Sequence, residues 1–353
     1  MKIDFLTATE QASDPAHTIP LPLQLAGRIA DANARRRVFL DYHDLKAKNT
    51  LDQQRQALRR FRAWLSETAD PGDLFSDPVA WAGVTWGLCG GFLRHLLAQG
   101  YAISTVNAHL ATLKRYATMA CQAGTLGAEQ YALIRTITGF SRRDGRNINQ
   151  KRAAAAVPTR RRGSKAAEPI FLANDQVEAL KNSYDPETPQ GRRDRLMMHL
   201  FLEMGLRCGE LAGLKVADLR LKVGQLRFYR PKVDNIQTHR LPKATREAAR
   251  AYIQQDAPDD AGTLILASHK SGELLGHGMS ERAINKRVGY LGRKLLGIEG
   301  LSPHDLRHTW ATLAAAKKTP LNVLMHAGGW SSLAMPLRYI EAAKIANEGI
   351  RLG

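Results

Sequence analysis

A mainly helical chain with one small antiparallel sheet is predicted, split into a small basic helical domain and a larger C-terminal domain. Three observations predict it. Apolar residues recur at helical spacing through most of the 353 residues. Only one stretch, 219–241, turns to short alternating runs. Between the two periodic regions lies a block of like charges, 141–168, whose gaps are filled by alanines and small polar residues. Such a block cannot bury a core.

Residues 1–45 form an arm. Its first 25 positions carry Pro15, Pro20 and Pro22 and little periodicity, so they read as irregular. From about Leu23 to Lys48 the pattern is helical, with Arg35-Arg36-Arg37 as a basic run. Residues 46–140 read as a helical domain. Thr50, with Gln53 three residues on, suits an N-cap and capping box. Leu51, Ala57, Leu58, Phe61, Trp64 and Leu65 then form one stripe, and Arg55, Arg59, Arg60 and Arg62 surround it. A second helix is predicted from Trp81 to Gln99. A third follows the cap-like Ser104, with Val106, Leu110, Leu113 and Ala117 inside and Lys114 and Arg115 outside.

The block 141–168 holds Arg142, Arg143, Arg146, Lys151, Arg152, Arg160, Arg161, Arg162 and Lys165, with Asp144 as the single acid before Glu168. It reads as a basic interdomain linker lying along DNA backbone, where released counterions supply binding free energy. The plainer alternative is a solvated charge run. Residues 169–353 form the C-terminal domain. Its Asp194–Glu203 segment is apolar enough for a buried helix, and Gly205 suits the C-cap. Two short strands, 224–229 and 238–241, flank a polar turn at Asp234-Asn235, and helices resume near Thr245.

The formal net charge of +18 favours a polyanionic partner. Cys89, Cys121 and Cys208 are scattered and odd in number, which fits no disulfide framework and no zinc site and suits a reducing cytoplasm. No run reaches the ~18 apolar residues of a membrane span, and Met1–Leu6 is a poor signal peptide. Gly83, Gly87, Gly90 and Gly91 are not followed by the Gly-Lys-Ser/Thr of a phosphate loop. Neither a nucleotide cofactor nor a metal is indicated.

Four fragments of the C-terminal domain supply a different chemistry. They are Gly205-Leu206-Arg207 with Glu210, Arg230-Pro231-Lys232, the His304–Thr309 run with Arg307, and Gly329-Trp330 followed nine residues later by Tyr339. Paired guanidiniums can hold a phosphate and spread its charge. A tyrosine hydroxyl can attack phosphorus, and a lysine can protonate a leaving oxygen. In that order and at the Trp330–Tyr339 spacing, these boxes resemble the tyrosine recombinases, the phage integrase family. The resemblance is good over about 168–345 and loose over about 50–140, where the family has a helical, SAM-like core-binding domain.

The resemblance implies site-specific DNA recombination, with Tyr339 forming a 3′-phosphotyrosyl link and freeing a 5′-hydroxyl. Arg207 and Arg307 would bracket the non-bridging oxygens. Lys232 would be the general acid, with Arg230 and Lys222 as nearby rivals. His304 would accept the tyrosine proton or bond the phosphate. Trp330 stands where the family more often has histidine, and its indole N–H can donate but cannot carry a proton between groups. It is therefore assigned to positioning; His326, four residues earlier, fits the spacing less well. Glu210 and His308 would support these groups from behind. Arg55, Arg59, Lys114, Arg115, Arg142, Arg143, Arg160, Arg161 and Arg162 are the candidate DNA contacts. The implied partners are double-stranded DNA with a specific core site, three further copies in a tetramer on DNA, and DNA-bending accessory proteins. A type IB topoisomerase-like or hairpin-resolving enzyme would use similar residues. A DNA-binding protein without catalysis is the alternative of another class, and the intact boxes speak against it.

Overall fold

The structure is a computed structural model, and it describes residues 23–160, 169–182, 184–256 and 262–343, the side chains of 340–343 excepted. The irregular arm expected before Leu23, and Arg161, Arg162 and Lys165, lie outside the described residues. The chain divides into two compact units, Met1–Arg161 and Arg162–Gly353.

Unit 1 holds α1 (Leu23–Asp44), α2 (Lys48–Leu65), α3 (Trp86–Ala98), α4 (Ile103–Ala123), α5 (Ala128–Thr136) and α6 (Arg142–Ala154). Helix α4 is the axis, and α1, α2, α3 and α5 all pack on it. Its Tyr116 is fully buried, with Phe39 edge-on at 5.5 Å and Trp81 stacked at 6.4 Å. The stripe anticipated on α2 is the face that packs, since Ala57, Leu58, Phe61 and Leu65 are buried.

Three expected boundaries move. Helix α2 starts at Lys48 behind Ala47, and Thr50 donates its N–H to the Ala47 carbonyl (2.9 Å) from within the first turn instead of capping it. The stretch after Trp81 does not run straight into a helix. Asp77 caps a single 3-10 turn at Pro78–Trp81, Gly83 takes φ +83°, and α3 begins only after Thr85, whose hydroxyl accepts from the Leu88 N–H. Helix α4 starts at Ile103 behind Ala102, so Ser104 is inside it.

The largest difference is in the basic block. Residues 142–154 are helical, not an irregular tether. The cause is a capping box: the Asp144 N–H donates to Ser141 Oγ (3.2 Å) while Asp144 accepts the Ser141 N–H (2.8 Å). The lone acid of the block is thus its helix start, and the Ser141 hydroxyl (2.7 Å), with the Ser141 N–H, holds the Asp144 carboxyl below the usual range. Arg152 is buried and donates to the Leu97 carbonyl at 2.6 Å, docking α6 on the end of α3.

Unit 2 is built on α8 (Pro189–Met204), a helix with nearly every side chain buried, packed against α7 (Asn174–Asn182), α10 (Lys243–Gln255) and α12 (Pro303–Ala316). It ends at Gly205 in the left-handed region at φ +61°, as anticipated. A Cβ there would sit 2.3 Å from the Trp310 ring, so glycine is required twice over. The short α9 (Cys208–Ala212) follows, then an antiparallel sheet of β1 (Leu219–Arg220), β2 (Gln225–Arg230) and β3 (Asn235–Arg240) in that order. Arg230 pairs with Asn235, leaving a four-residue turn closed by the Tyr229 hydroxyl on Asp234 (2.7 Å). A second, two-stranded sheet of β4 (Leu266–Ser268) and β5 (Leu274–Gly278), absent from the sequence reading, precedes α11 (Glu281–Leu296). Its strands are too short to show a period. Helices α13 (Leu321–Gly328) and α14 (Ala334–Ala343) close the unit against α12.

Candidate active site

The four sequence fragments meet at one place in unit 2: the end of α8, the start of α9, the end of β2, one face of α12 and the α13–α14 connection. Arg307 is the centre. It is 4% exposed, and its two terminal nitrogens donate to the carbonyls of Gly205 and Gly328. Arg207 donates to Glu210 Oε1 (2.7 Å) and to the Gly329 carbonyl (2.9 Å), and keeps 21% of its side chain exposed. The α12 and α9 arginines are thus tied to adjacent carbonyls of one Gly328-Gly329 turn. Close packing explains those glycines: a Cβ on Gly328 would lie 2.2 Å from the Trp330 ring, and one on Gly329 2.5 Å from Arg230.

Arg230, a rival for the lysine role by sequence, is a buried brace. It is 0% exposed and donates to the Gly328 and Ala327 carbonyls, both at 2.8 Å. Glu210 is the carboxylate shared among the arginines. It accepts the Arg207 N–H (2.9 Å) and guanidinium, and stands 3.5 Å from Arg230. The Gln237 amide donates to the His326 carbonyl (3.1 Å), which fixes β3 to α13. Burial, Arg207 and Arg230 push the Arg307 guanidinium down to about 9, with Glu210 opposing; it stays charged at neutral pH. This is a preorganised cationic site, costly to assemble without an anion.

Tyr339 lies on α14 and is 4% exposed. Its ring packs 5.5 Å from Trp330, which in turn carries the Arg307 guanidinium over its face at 4.8 Å. The other side of Tyr339 meets His308, at 5.2 Å between rings. Burial raises the Tyr339 pKa, while Arg307, Arg338 and Arg207 pull it back. His308 and His304 share a hydrogen bond between their Nε2 atoms at 2.8 Å, with His304 on the exposed side. Burial and that neighbour lower the His308 pKa to about 4, so it is neutral at pH 7. Sequence reasoning placed His308 behind the site, and the structure puts it against the tyrosine. The signal was present, since positions 304 and 308 share a helical face.

Arg207, Arg307, Glu210, Trp330, Tyr339 and the His304–His308 pair are therefore brought together. Lys232 is not. It sits exposed in the β2–β3 turn and makes no hydrogen bond or ion pair with another described residue. Of the candidate DNA contacts, Arg59, Arg142 and Arg143 are exposed. Arg55 is drawn over the Phe75 ring at 4.3 Å, and Lys114 donates to the Arg135 carbonyl. Arg115 lies 5.7 Å over Tyr42.

Fixed guanidiniums around a tyrosine, on a helical unit with a small hairpin sheet, make an arrangement able to hold a phosphate beside a hydroxyl nucleophile. Comparison with known proteins gives the family. Residues 171–345 match the phage integrase family. Tyrosine recombinase XerC of Pseudomonas aeruginosa is 37% identical over 124 residues, 34% of this chain and 38% of that protein. XerC of Natranaerobius thermophilus is 28% identical over 52% of this chain and 61% of its own length, so the match spans less than two thirds of either XerC. XerD of Ralstonia nicotianae is 25% identical over 93% of both chains. Among solved structures, the Tn1549 transposon integrase in complex with transposon right end DNA has a TM-score of 0.59 at 16% identity, covering 86% of this chain and 94% of that one. A lambda integrase dimer bound to a core site has 0.57 at 16% identity, with the same coverage. Both share the fold. The chain belongs to the phage integrase family, the tyrosine recombinases. No described helix is long and apolar enough to cross a membrane.

Proposed function

We propose that this protein is a site-specific DNA recombinase, which cleaves and rejoins duplex DNA through a 3′-phosphotyrosyl intermediate at Tyr339. One observation carries the reading: Arg207 and Arg307 are anchored to neighbouring carbonyls of the Gly328-Gly329 turn, and Tyr339 is packed on Trp330 directly beside them. The Xer relatives and the DNA-bound integrases with this fold support it.

The scissile phosphate binds the free donors of Arg207 and Arg307. The transition state carries more negative charge on the non-bridging oxygens than the ground state, so fixed guanidiniums stabilise it selectively. Tyr339 attacks phosphorus and its proton passes to the His304–His308 pair. The P–O bond to the 5′-oxygen breaks, and Lys232, carried in by the hairpin turn, protonates that oxygen. The phosphotyrosyl bond keeps the energy of the phosphodiester, so rejoining needs no nucleotide. A 5′-hydroxyl from a partner duplex reverses the reaction. Exchange of both strands of two duplexes uses four active sites, hence a tetramer on DNA, and accessory DNA-bending proteins would shape the sites. In a topoisomerase reading the same strand's hydroxyl would return.

The test is a nicked suicide duplex bearing the inverted repeats around the element's junction. The native protein should give a covalent protein–DNA band on a denaturing gel. Tyr339→Phe should give none while binding the duplex equally well. A band that persists in Tyr339→Phe refutes the assignment.

A further inference from the structure

Unit 1 carries a second cationic site. It is a cleft of about 210 Å³ whose lining includes Arg60, Trp64, Glu67, Gln99, Tyr101 and Arg160. Both arginines converge on one ring: the Arg60 and Arg160 guanidinium carbons lie 5.2 and 5.7 Å from the Tyr101 centroid. Each is held by a neutral partner. His109 donates from Nδ1 to the Thr105 carbonyl (2.8 Å), which leaves its Nε2 lone pair for the Arg60 N–H at 3.3 Å. Burial lowers the His109 pKa, in keeping with that neutral state. Arg160 donates to Gln99 Oε1 at 3.0 Å. Among the described residues neither arginine has an ion-pair partner, and Glu67 on the rim bonds neither.

The backbone is shaped to bring Arg160 here. Gly100 takes φ +76°, and a Cβ on it would stand 2.3 Å from the Pro158 carbonyl. Without that Cβ, the segment after α6 crosses the α3–α4 turn closely. The Arg160 N–H donates to the Gly100 carbonyl (2.7 Å), and Arg160 makes a parallel bridge with Tyr101. Two like charges are thus placed together, oriented and left unneutralised. Guanidiniums in that state match a tetrahedral oxyanion.

We propose that Arg60 and Arg160 form a single notch for one backbone phosphate of duplex DNA, with Tyr101 as its floor. The proposal rests on the DNA-partner reading above. It separates from that reading because it concerns binding to any sequence and needs no cleavage.

The test measures affinity of the full chain for a random-sequence duplex by fluorescence anisotropy between 50 and 200 mM salt, with Arg60→Gln, Arg160→Gln and the double variant. One phosphate contact contributes about 0.9 to the slope of log affinity on log salt. Each single variant should therefore flatten the slope by at most about 1, and the double variant by about 1 and no more, because both arginines serve one phosphate. Arg160→Lys, which keeps the charge, should retain most of the slope and excludes misfolding as the cause. A double variant that loses about 2 overturns the shared notch in favour of separate contacts. Unchanged slopes overturn it too, and a Trp64 fluorescence response to inorganic phosphate in that case would assign the cleft to a free anion. Failure of the covalent-adduct experiment alongside the expected flattening of the slopes would sink the recombinase reading and leave the notch standing.

Discussion

Glu210→Gln should be the most damaging single-atom-scale change in unit 2. Glu210 is 6% exposed. Its two oxygens accept from the Arg207 N–H (2.9 Å) and the Arg207 guanidinium (2.7 Å), and Arg230 lies 3.5 Å away. Glutamine has the same shape but one acceptor, so its NH2 must face a donor of Arg207. It also removes the carboxylate that offsets Arg207, Arg230 and Arg307 in one buried cluster. Breaking a buried pair costs about 3–5 kcal/mol. Arg207 keeps some solvent, which lowers the figure to about 2–4 kcal/mol by the same reasoning. For a domain of this size ~3 kcal/mol corresponds to a fall in Tm of roughly 6–12 °C. Calorimetry of the native and variant proteins reads this directly. Cleavage should fall as well, by about two to three powers of ten, since Arg207 would no longer be held ready for the phosphate. A Tm within ~2 °C of the native value would refute the argument that Glu210 neutralises the cluster.

Three further outcomes follow from the same geometry. Lys232→Ala should slow cleavage of ordinary DNA by about two to four powers of ten, while a substrate with a 5′-bridging sulfur, whose thiolate leaves unaided, should restore nearly native rates; rescue at Arg230 instead would move the acid role there. Trp330→His should keep the covalent adduct, because an N–H donor and a flat ring remain, whereas Trp330→Ala should lose most of it in single-turnover assays; equal loss in both would show that the indole itself is needed. Burial works against the Glu203 carboxylate, but the His199 ring at 3.3 Å and hydrogen bonds from Thr245 and Lys181 outweigh it and hold the pKa at about 2. A depressed acid pKa adds stability that is present above its unfolded value near 4.5 and is lost as pH falls toward 2. Urea midpoints should therefore drop over that window in the native protein and less steeply in Glu203→Gln, and parallel curves would show that this carboxylate is not the acid-labile group.

Much of this was legible in the chain because it depends on local rules. The α2 stripe, the Gly205 cap and the β2–β3 hairpin follow from period, cap and turn chemistry. The boxes carried Arg207, Arg307, Trp330 and Tyr339. What escaped depends on contacts far apart in sequence. Arg230 reads as a strand-end cation, and only the approach of α13 shows that it braces two backbone carbonyls. His308 reads as a helix neighbour of His304 until α14 lays Tyr339 against it. The helix at 142–154 is signalled only by the Ser141–Asp144 cap, which the charge density of the block masks. Arg160 reads as one more charge of a linker, and its seating on Tyr101 depends on a carbonyl passing over Gly100.

As the proposed nucleophile, Tyr339 would become joined to DNA. The direct measurement is mass spectrometry of the trapped adduct after exhaustive nuclease and protease digestion. A nucleotide remnant is expected on the peptide that contains Tyr339, attached through a 3′-phosphate. A remnant on another tyrosine, on a serine or on His304, or a 5′-phosphate linkage, would contradict it.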